Sequence, residues 1–272
     1  MSTRIALLQM TSGIDPDANA AAIVSAIGEA ARGGAAMLFT PEMSGLLDRE
    51  RARAKLHIMP EEADPVLAAV RQAAAAEGIW VAIGSLAIAR EDGRWANRSF
   101  VVDASGEIVA RYDKMHMFDV DLATGESWRE SNAYAAGEQV VTVETPVGLL
   151  GLAICYDVRF PALFEAFGQK KCDVIAIPAA FTVPTGKAHW HLLQRARAVE
   201  ASAYVVAAAQ AGRHEDGRNT YGHSLVVDPW GEVLLDMGGE GAGLAFAEID
   251  PARTTEVREQ LPSLANRRVI PR

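Results

Sequence analysis

Short apolar runs alternate with longer amphipathic stretches along most of the chain. Residues 5–9, 37–40 and 79–86 are runs too short for helices, which predicts strands buried on both faces. Between them, 15–32 and 64–77 are rich in Ala and open on Asp-Pro. They close on Gly33-Gly34 and Gly78, the start and stop chemistry of helices. A hairpin is predicted over 98–103 and 107–113, joined by Ala104-Ser105-Gly106. Residues 114–139 have no clean period and read as a long functional loop. The alternation then resumes, with a hairpin over 140–144 and 148–154 and a helix from 161 to about 171. Strands at 173–178 and 203–210 flank a helix at 187–201. A hairpin over 222–228 and 232–236, a strand at 243–249 and a helix at 251–260 follow. The tail to Arg272 is basic and contains proline.

The pattern repeats. Val101-Val102-Asp103-x-x-Gly106-Glu107-Ile108 returns as Val226-Val227-Asp228-x-x-Gly231-Glu232-Val233. The strand before each hairpin and the strand–helix–strand before that recur at nearly the same spacing. Two similar α/β halves are expected, each a sheet covered by helices on one face. Packed sheet to sheet they make a four-layer α-β-β-α sandwich. The competing architecture is one doubly wound sheet. The domain expectation is one unit over 1–272, with the core sandwich in about 1–250 and a terminal helix and tail in 251–272.

Cys155 stands at a corner. The apolar run 149–154 ends there, polar residues follow, and Pro161 sits where a helix would begin. A side chain at such a strand–helix turn projects past the sheet edge, with the next backbone N–H pointing the same way. Cys155 therefore reads as a nucleophile or as a buried structural thiol. A free thiol has a pKa of about 8.5, so a nucleophile there needs a base or a cation. None of the six histidines, His57, His116, His189, His191, His214 and His223, has a context that marks it as that base. Glu42 follows a buried strand directly, where open α/β sheets keep their sites, though it also fits a solvated loop. Lys114 ends a strand before the apolar Met115-His116-Met117-Phe118, so it is a surface lysine or a partly buried one.

Composition narrows the function classes. Of 272 residues half are hydrophobic and 22% charged, and the formal charge is −9. An acidic chain without a basic run is a poor partner for nucleic acid or an anionic membrane. Two cysteines, Cys155 and Cys172, give no disulfide framework, and Cys172 reads as structural. Cys/His zinc spacings are absent, so no metal is expected. The first ten residues lack a signal-peptide h-region, and no run approaches a membrane span. A cytoplasmic protein is expected.

Three ordered motifs resemble the signatures of the nitrilase superfamily, the carbon–nitrogen hydrolases. They are Phe39-Thr40-Pro41-Glu42, Arg111-Tyr112-Asp113-Lys114-Met115-His116-Met117-Phe118-Asp119 and the stretch 151–161 around Cys155-Tyr156-Asp157. The resemblance runs over nearly the whole chain. It implies the four-layer sandwich, a Glu42-Lys114-Cys155 triad, and a second glutamate, Glu130, beside the lysine. It implies an amidase working through a cysteine thioester, with the Tyr156 N–H in the oxyanion site, no cofactor, and a homodimer or higher homo-oligomer. Segments 185–190, 195–200 and 208–214, with Tyr221-Gly222-His223-Ser224, are similar to the Nit-type branch. Within it they lie closer to the amidases of deaminated glutathione than to ω-amidases of α-keto acids. Such a substrate carries carboxylates, so Arg213, Arg195 and Arg197 are candidate binding residues, with His189 shaping the pocket. The helix face is the competing assignment for Arg195 and Arg197. Ala162 departs from the glutamate common after the Arg-Phe-Pro of that motif.

Overall fold

In the computed structural model, which describes residues 2–268 except 122, 124 and 126, the strands gather into two six-stranded sheets. The first runs Gly243–Ile249, Thr3–Gln9, Met37–Phe39, Trp80–Ala89, Trp95–Val102, Ile108–Asp113. The second runs Thr142–Thr145, Gly148–Leu152, Val174–Ala176, Tyr204–Ala207, Leu225–Val227, Val233–Asp236. Each has three parallel strands in the middle, an antiparallel strand on one edge and an antiparallel hairpin on the other. The repeat in the sequence is thus a repeat in space. The alternative of one doubly wound sheet is excluded.

Side-chain alternation sets the layers. In Thr3–Gln9, Ile5 and Leu7 join a core cluster with Leu150, Leu152 and Val205 of the second sheet. Ala6 and Leu8 point the other way, into a cluster with Ile23, Ile27 and Val70. Those residues belong to helices Pro16–Arg32 and Pro65–Glu77, which cover the outer face. Asp15 and Asp64 cap these helices by accepting first-turn N–H groups, and Gly78 ends the second at φ +66°. Helices Pro161–Gln169 and Val183–Ala201 cover the second sheet and bury Phe164, Phe167 and Trp190. The order is helix, sheet, sheet, helix, with the apolar faces of both sheets turned to each other.

Two expectations shift. The helix expected from 187 begins at Val183, because Pro184 is tolerated in a first turn and Gly186 N–H already bonds Thr182 O at 2.8 Å. Residues 114–139 contain a short ribbon, Asp119–Asp121 with Ser127–Arg129, and a 3-10 turn, Glu130–Asn132. Strands of three residues show no readable period. Leu122, Thr124 and Glu126 of that loop, and 269–272 of the tail, lie outside the described residues.

Candidate active site

Glu42 leaves the first sheet just past Met37–Phe39. Its backbone is fixed on several sides: Ser85 N–H bonds Pro41 O, and the buried Gln210 amide donates to Glu42 O at 3.0 Å. Gly84 permits the approach, since a Cβ there would stand 2.1 Å from Thr40 O and 2.5 Å from Pro178 Cβ. Lys114 follows strand Ile108–Asp113, and its N–H pairs with Asn97 O across the hairpin at 2.9 Å. Glu130 opens the 3-10 turn of the long loop.

These side chains converge on one ammonium. Lys114 is 2% exposed, and its Nζ lies 2.9 Å from Glu42 Oε1 and 2.8 and 3.1 Å from the two oxygens of Glu130. Asn97, fully buried, donates from Nδ2 to Glu42 at 2.9 Å and to Glu130 at 3.0 Å. The second oxygen of each carboxylate takes a backbone N–H, from Ala180 at 2.9 Å and Phe118 at 2.7 Å. The buried Cys155 thiol is near enough for the charges of Glu42 and Lys114 both to act on it.

Cys155 is held in the left-handed region at φ +47°. Few residues other than glycine adopt this, and it persists only where surroundings enforce it. Here Cys155 N–H bonds Pro178 O at 2.8 Å, and a 3-10 turn, Cys155–Arg159, begins at once. Tyr156 supplies a first-turn N–H, one of the donors a helix start leaves without an acceptor of its own.

Charge follows from burial and partners. Burial alone would raise the Glu42 carboxyl. The Lys114 ammonium and hydrogen bonds from Cys155 and Asn97 outweigh it and hold the group below its ordinary value. Burial alone would lower Lys114, but Glu130 and Glu42 push it well above its ordinary value. Burial, and then the Glu42 charge, push the Cys155 thiol well up, against the pull of Lys114. At rest the Cys155 thiol is therefore neutral, beside the Glu42 carboxylate and the Lys114 ammonium. Cys172 is buried elsewhere, and burial pushes its thiol up to about 12.

Asp157, two residues after the cysteine, is fully buried and accepts four bonds. Tyr112 O–H (2.7 Å) and Ile154 N–H (2.9 Å) reach one oxygen; His116 N–H (3.0 Å) and His116 Nδ1 (2.7 Å) reach the other. It ties the residues flanking Lys114 to those flanking Cys155. Sequence reading missed Asn97 and Asp157. A polar residue on the inward face of a buried strand, and an acid at the third position of a helical turn, were the signals present.

The substrate candidates fare differently. Arg195 bonds Gly231 O at 2.7 Å, across to the last hairpin. Arg197 is buried, gripping Val158 O at 2.7 Å and Glu200 at 2.5 Å, and so braces the cysteine turn. Arg213 is exposed on the small ribbon Ala211–Arg213. His189 is exposed and lies 3.3 Å from Arg159 Nη1. Arg159, at the end of the cysteine turn, was not singled out. Its guanidinium stacks near Tyr156 and Phe181 at 5.8 and 5.5 Å, and among the described residues no carboxylate lies within 4 Å of it. Ala162 is exposed at the start of the next helix.

A buried lysine between two glutamates beside a strained cysteine, on a two-sheet sandwich, defines a class. Residues 4–259 match the carbon-nitrogen hydrolase family, and the chain belongs to it. It is therefore an enzyme acting on carbon–nitrogen bonds of the amide type. It is 38% identical to a deaminated glutathione amidase of Yersinia enterocolitica, over 99% of this chain and 94% of the relative. The human protein of that name is 38% identical over 97% of this chain and 82% of its own. Among solved structures, the NitFhit protein of C. elegans superposes with TM-score 0.91 at 35% identity. It is matched over 98% of this chain, which spans 65% of the NitFhit length. Saccharomyces cerevisiae Nit3, a nitrilase-superfamily member, superposes at 0.86 with 27% identity, over 96% of this chain and 94% of its own.

Proposed function

We propose that this chain hydrolyses a small carboxylate-bearing amide, of the deaminated glutathione kind, to the acid and ammonia through a thioester on Cys155. The observation that carries the reading is the Lys114 ammonium buried between Glu42 and Glu130, with the buried Cys155 thiol within reach of the charges of Glu42 and Lys114. Glu42 takes the thiol proton as sulfur adds to the amide carbon. Burial and the Glu42 charge hold the resting thiol well above its ordinary range, which favours proton transfer during the attack over transfer before it. The developing oxyanion falls to Lys114 and the Tyr156 N–H; one such donor is typically worth about 3–4 kcal/mol. Glu42 passes the proton to the departing ammonia. It then takes one from the water that attacks the thioester and returns it to sulfur. Glu130 and Asn97 hold the lysine and the base in register. This chemistry asks for no cofactor.

Arg159 supports the carboxylate preference. A half-buried guanidinium four residues past the nucleophile, with no acid partner among the described residues, matches a carboxylate by its planar fork. The names of the relatives point to the same substrate class. The test is ammonia release from a panel holding deaminated glutathione, α-keto ω-amides and simple aliphatic amides, with Cys155→Ala as background. Turnover of the carboxylate-bearing amides is expected, abolished in the variant. Arg159→Leu is expected to raise KM for them at least tenfold while leaving simple amides alone. Equal ammonia from Cys155→Ala would refute the reading, and preference for α-keto ω-amides would reassign the substrate.

Three further readings belong here. The whole of 1–272 is taken as one domain, which the return of Gly243–Ile249 to the first sheet supports. A homodimer or higher assembly is supported by exposed Leu192 and Val199 on one helix face, with exposed Trp230 and Leu234 on the adjoining hairpin. Among the described residues no helix is long and apolar enough to cross a membrane. A cytoplasmic setting is supported by two cysteines that are both free.

A further inference from the structure

Outside the Cys155 cluster, and sharing no residue with it, three ligand-bearing side chains meet. His191 comes from helix Val183–Ala201, His223 from the link before strand Leu225–Val227, and Asp236 from the end of strand Val233–Asp236. One nitrogen of each ring and one carboxylate oxygen all lie within 4.8 Å of one another. We propose that His191, His223 and Asp236 bind one divalent transition ion of the zinc type, clamping the helix to the hairpin.

The facing atoms are close to what an ion needs. His191 Nε2 is 2.9 Å from Asp236 Oδ2, and His223 Nδ1 is 2.9 Å from Oδ1. Ligands on a tetrahedral zinc with bonds of about 2.0–2.1 Å stand roughly 3.3 Å apart. Small side-chain rotations make up the difference. The donor set is two imidazoles and one carboxylate, which suits zinc, cobalt or nickel. Magnesium and calcium take oxygen ligands. The groups are 24–36% exposed, so water can complete the coordination.

The surroundings hold the ligands in place. The His223 backbone sits at φ +56°, its N–H bonded to Gly238 O at 2.7 Å and its carbonyl to Trp190 Nε1 at 2.8 Å. Its ring stacks on Tyr221 with centroids 4.4 Å apart. His191 stands edge-on to both rings, at 5.0 Å from His223 and 6.2 Å from Tyr221. The Gly238 N–H donates to Asp236 Oδ1 at 2.9 Å, the outer support a ligating carboxylate takes. Among the described residues no lysine or arginine pairs with Asp236; only the two histidines face it. On binding, each neutral ring gives up the proton on its facing nitrogen and carries it on the other. A protonated ring releases one proton to water.

The test uses the full chain, stripped with a chelator, in a Cys155→Ser background so that the active-site thiol cannot ligate. Zinc alone is titrated by calorimetry, and cobalt alone by its visible absorption. One ion per chain, a four-coordinate cobalt spectrum and a raised unfolding temperature are expected. His191→Gln and Asp236→Asn are each expected to weaken binding at least tenfold. Binding that is absent, or unchanged in a folded His191→Gln, overturns the site. Should a variant fail to fold, cobalt-induced shifts of the His191 and His223 ring signals in the otherwise unaltered chain decide. Shifts confined to other histidines refute the proposal.

Discussion

Replacing Asp157 by asparagine tests how the two halves of the active site are held together. The carboxylate accepts two donors on each oxygen, from Tyr112, Ile154 and twice from His116. An amide keeps one acceptor oxygen and sets an NH2 group against two donors. Two hydrogen bonds to a charged acceptor, at about 1.5–3 kcal/mol each, give a loss of about 3–6 kcal/mol. Against a total stability of roughly 5–15 kcal/mol, most of that range leaves the protein folded at room temperature. It also implies a melting temperature lower by roughly 5–10 degrees. Activity should fall with it. The bonds join Tyr112 and His116, on either side of Lys114, to Ile154 beside Cys155, and a displacement of about 1 Å at reacting groups can cost on the order of 10²-fold. Urea unfolding and steady-state amide hydrolysis measure the two effects. Tyr112→Phe removes one donor that the new NH2 would confront. The double variant should therefore be less destabilised than the sum of the singles, by ~1–3 kcal/mol. Asp157→Asn within ~1 kcal/mol of the parent, with unchanged kcat/KM, would show that the brace carries no load.

Lys114→Arg should lose at least ~10²-fold in kcat despite equal charge, because a planar fork cannot occupy a point-charge site between Glu42 and Glu130; near-parental kinetics would refute the role. Glu42→Gln should abolish hydrolysis yet speed alkylation of Cys155 near neutral pH. Burial and the Glu42 charge raise that thiol while Lys114 lowers it, so removing the carboxylate leaves burial alone against the ammonium's pull. Slower iodoacetamide labelling in the variant would contradict this. Stability should also track pH with a definite sign. Glu42 is depressed on folding, so its contribution is present above its unfolded value near 4.5 and fades only as pH falls through the lower folded one. Lys114 is raised, so its contribution is full below its unfolded value near 10.5 and fades as pH rises through the higher folded one. An unfolding midpoint that Glu42→Gln shifts at pH 3 as much as at pH 7 would refute the first sign.

What sequence fixes and what it leaves open follow from the range of the forces. Strand and helix periods, Asp-Pro starts and glycine stops are local, so the elements and their repeat were legible. So was the placement of Glu42, Lys114 and Cys155, each just past the end of its own strand. The small ribbon at 119–129 was not, since three-residue strands carry no period. Arg195 and Arg197 show the limit for side chains. Helical spacing places both on one helix, but only packing sends Arg197 under the cysteine turn to Val158 and Arg195 out to Gly231. Asn97, Asp157 and the His191–His223–Asp236 group gain their meaning from partners up to 55 residues away. Which sheet edge meets which loop is decided by burying two apolar faces together, and that choice is written in no single segment. The chain's own pattern determined two half-buried sheets and three candidate side chains at strand ends. Tertiary packing alone decided that an ammonium would lie dry between two carboxylates, whose charges outweigh the cost of burying it.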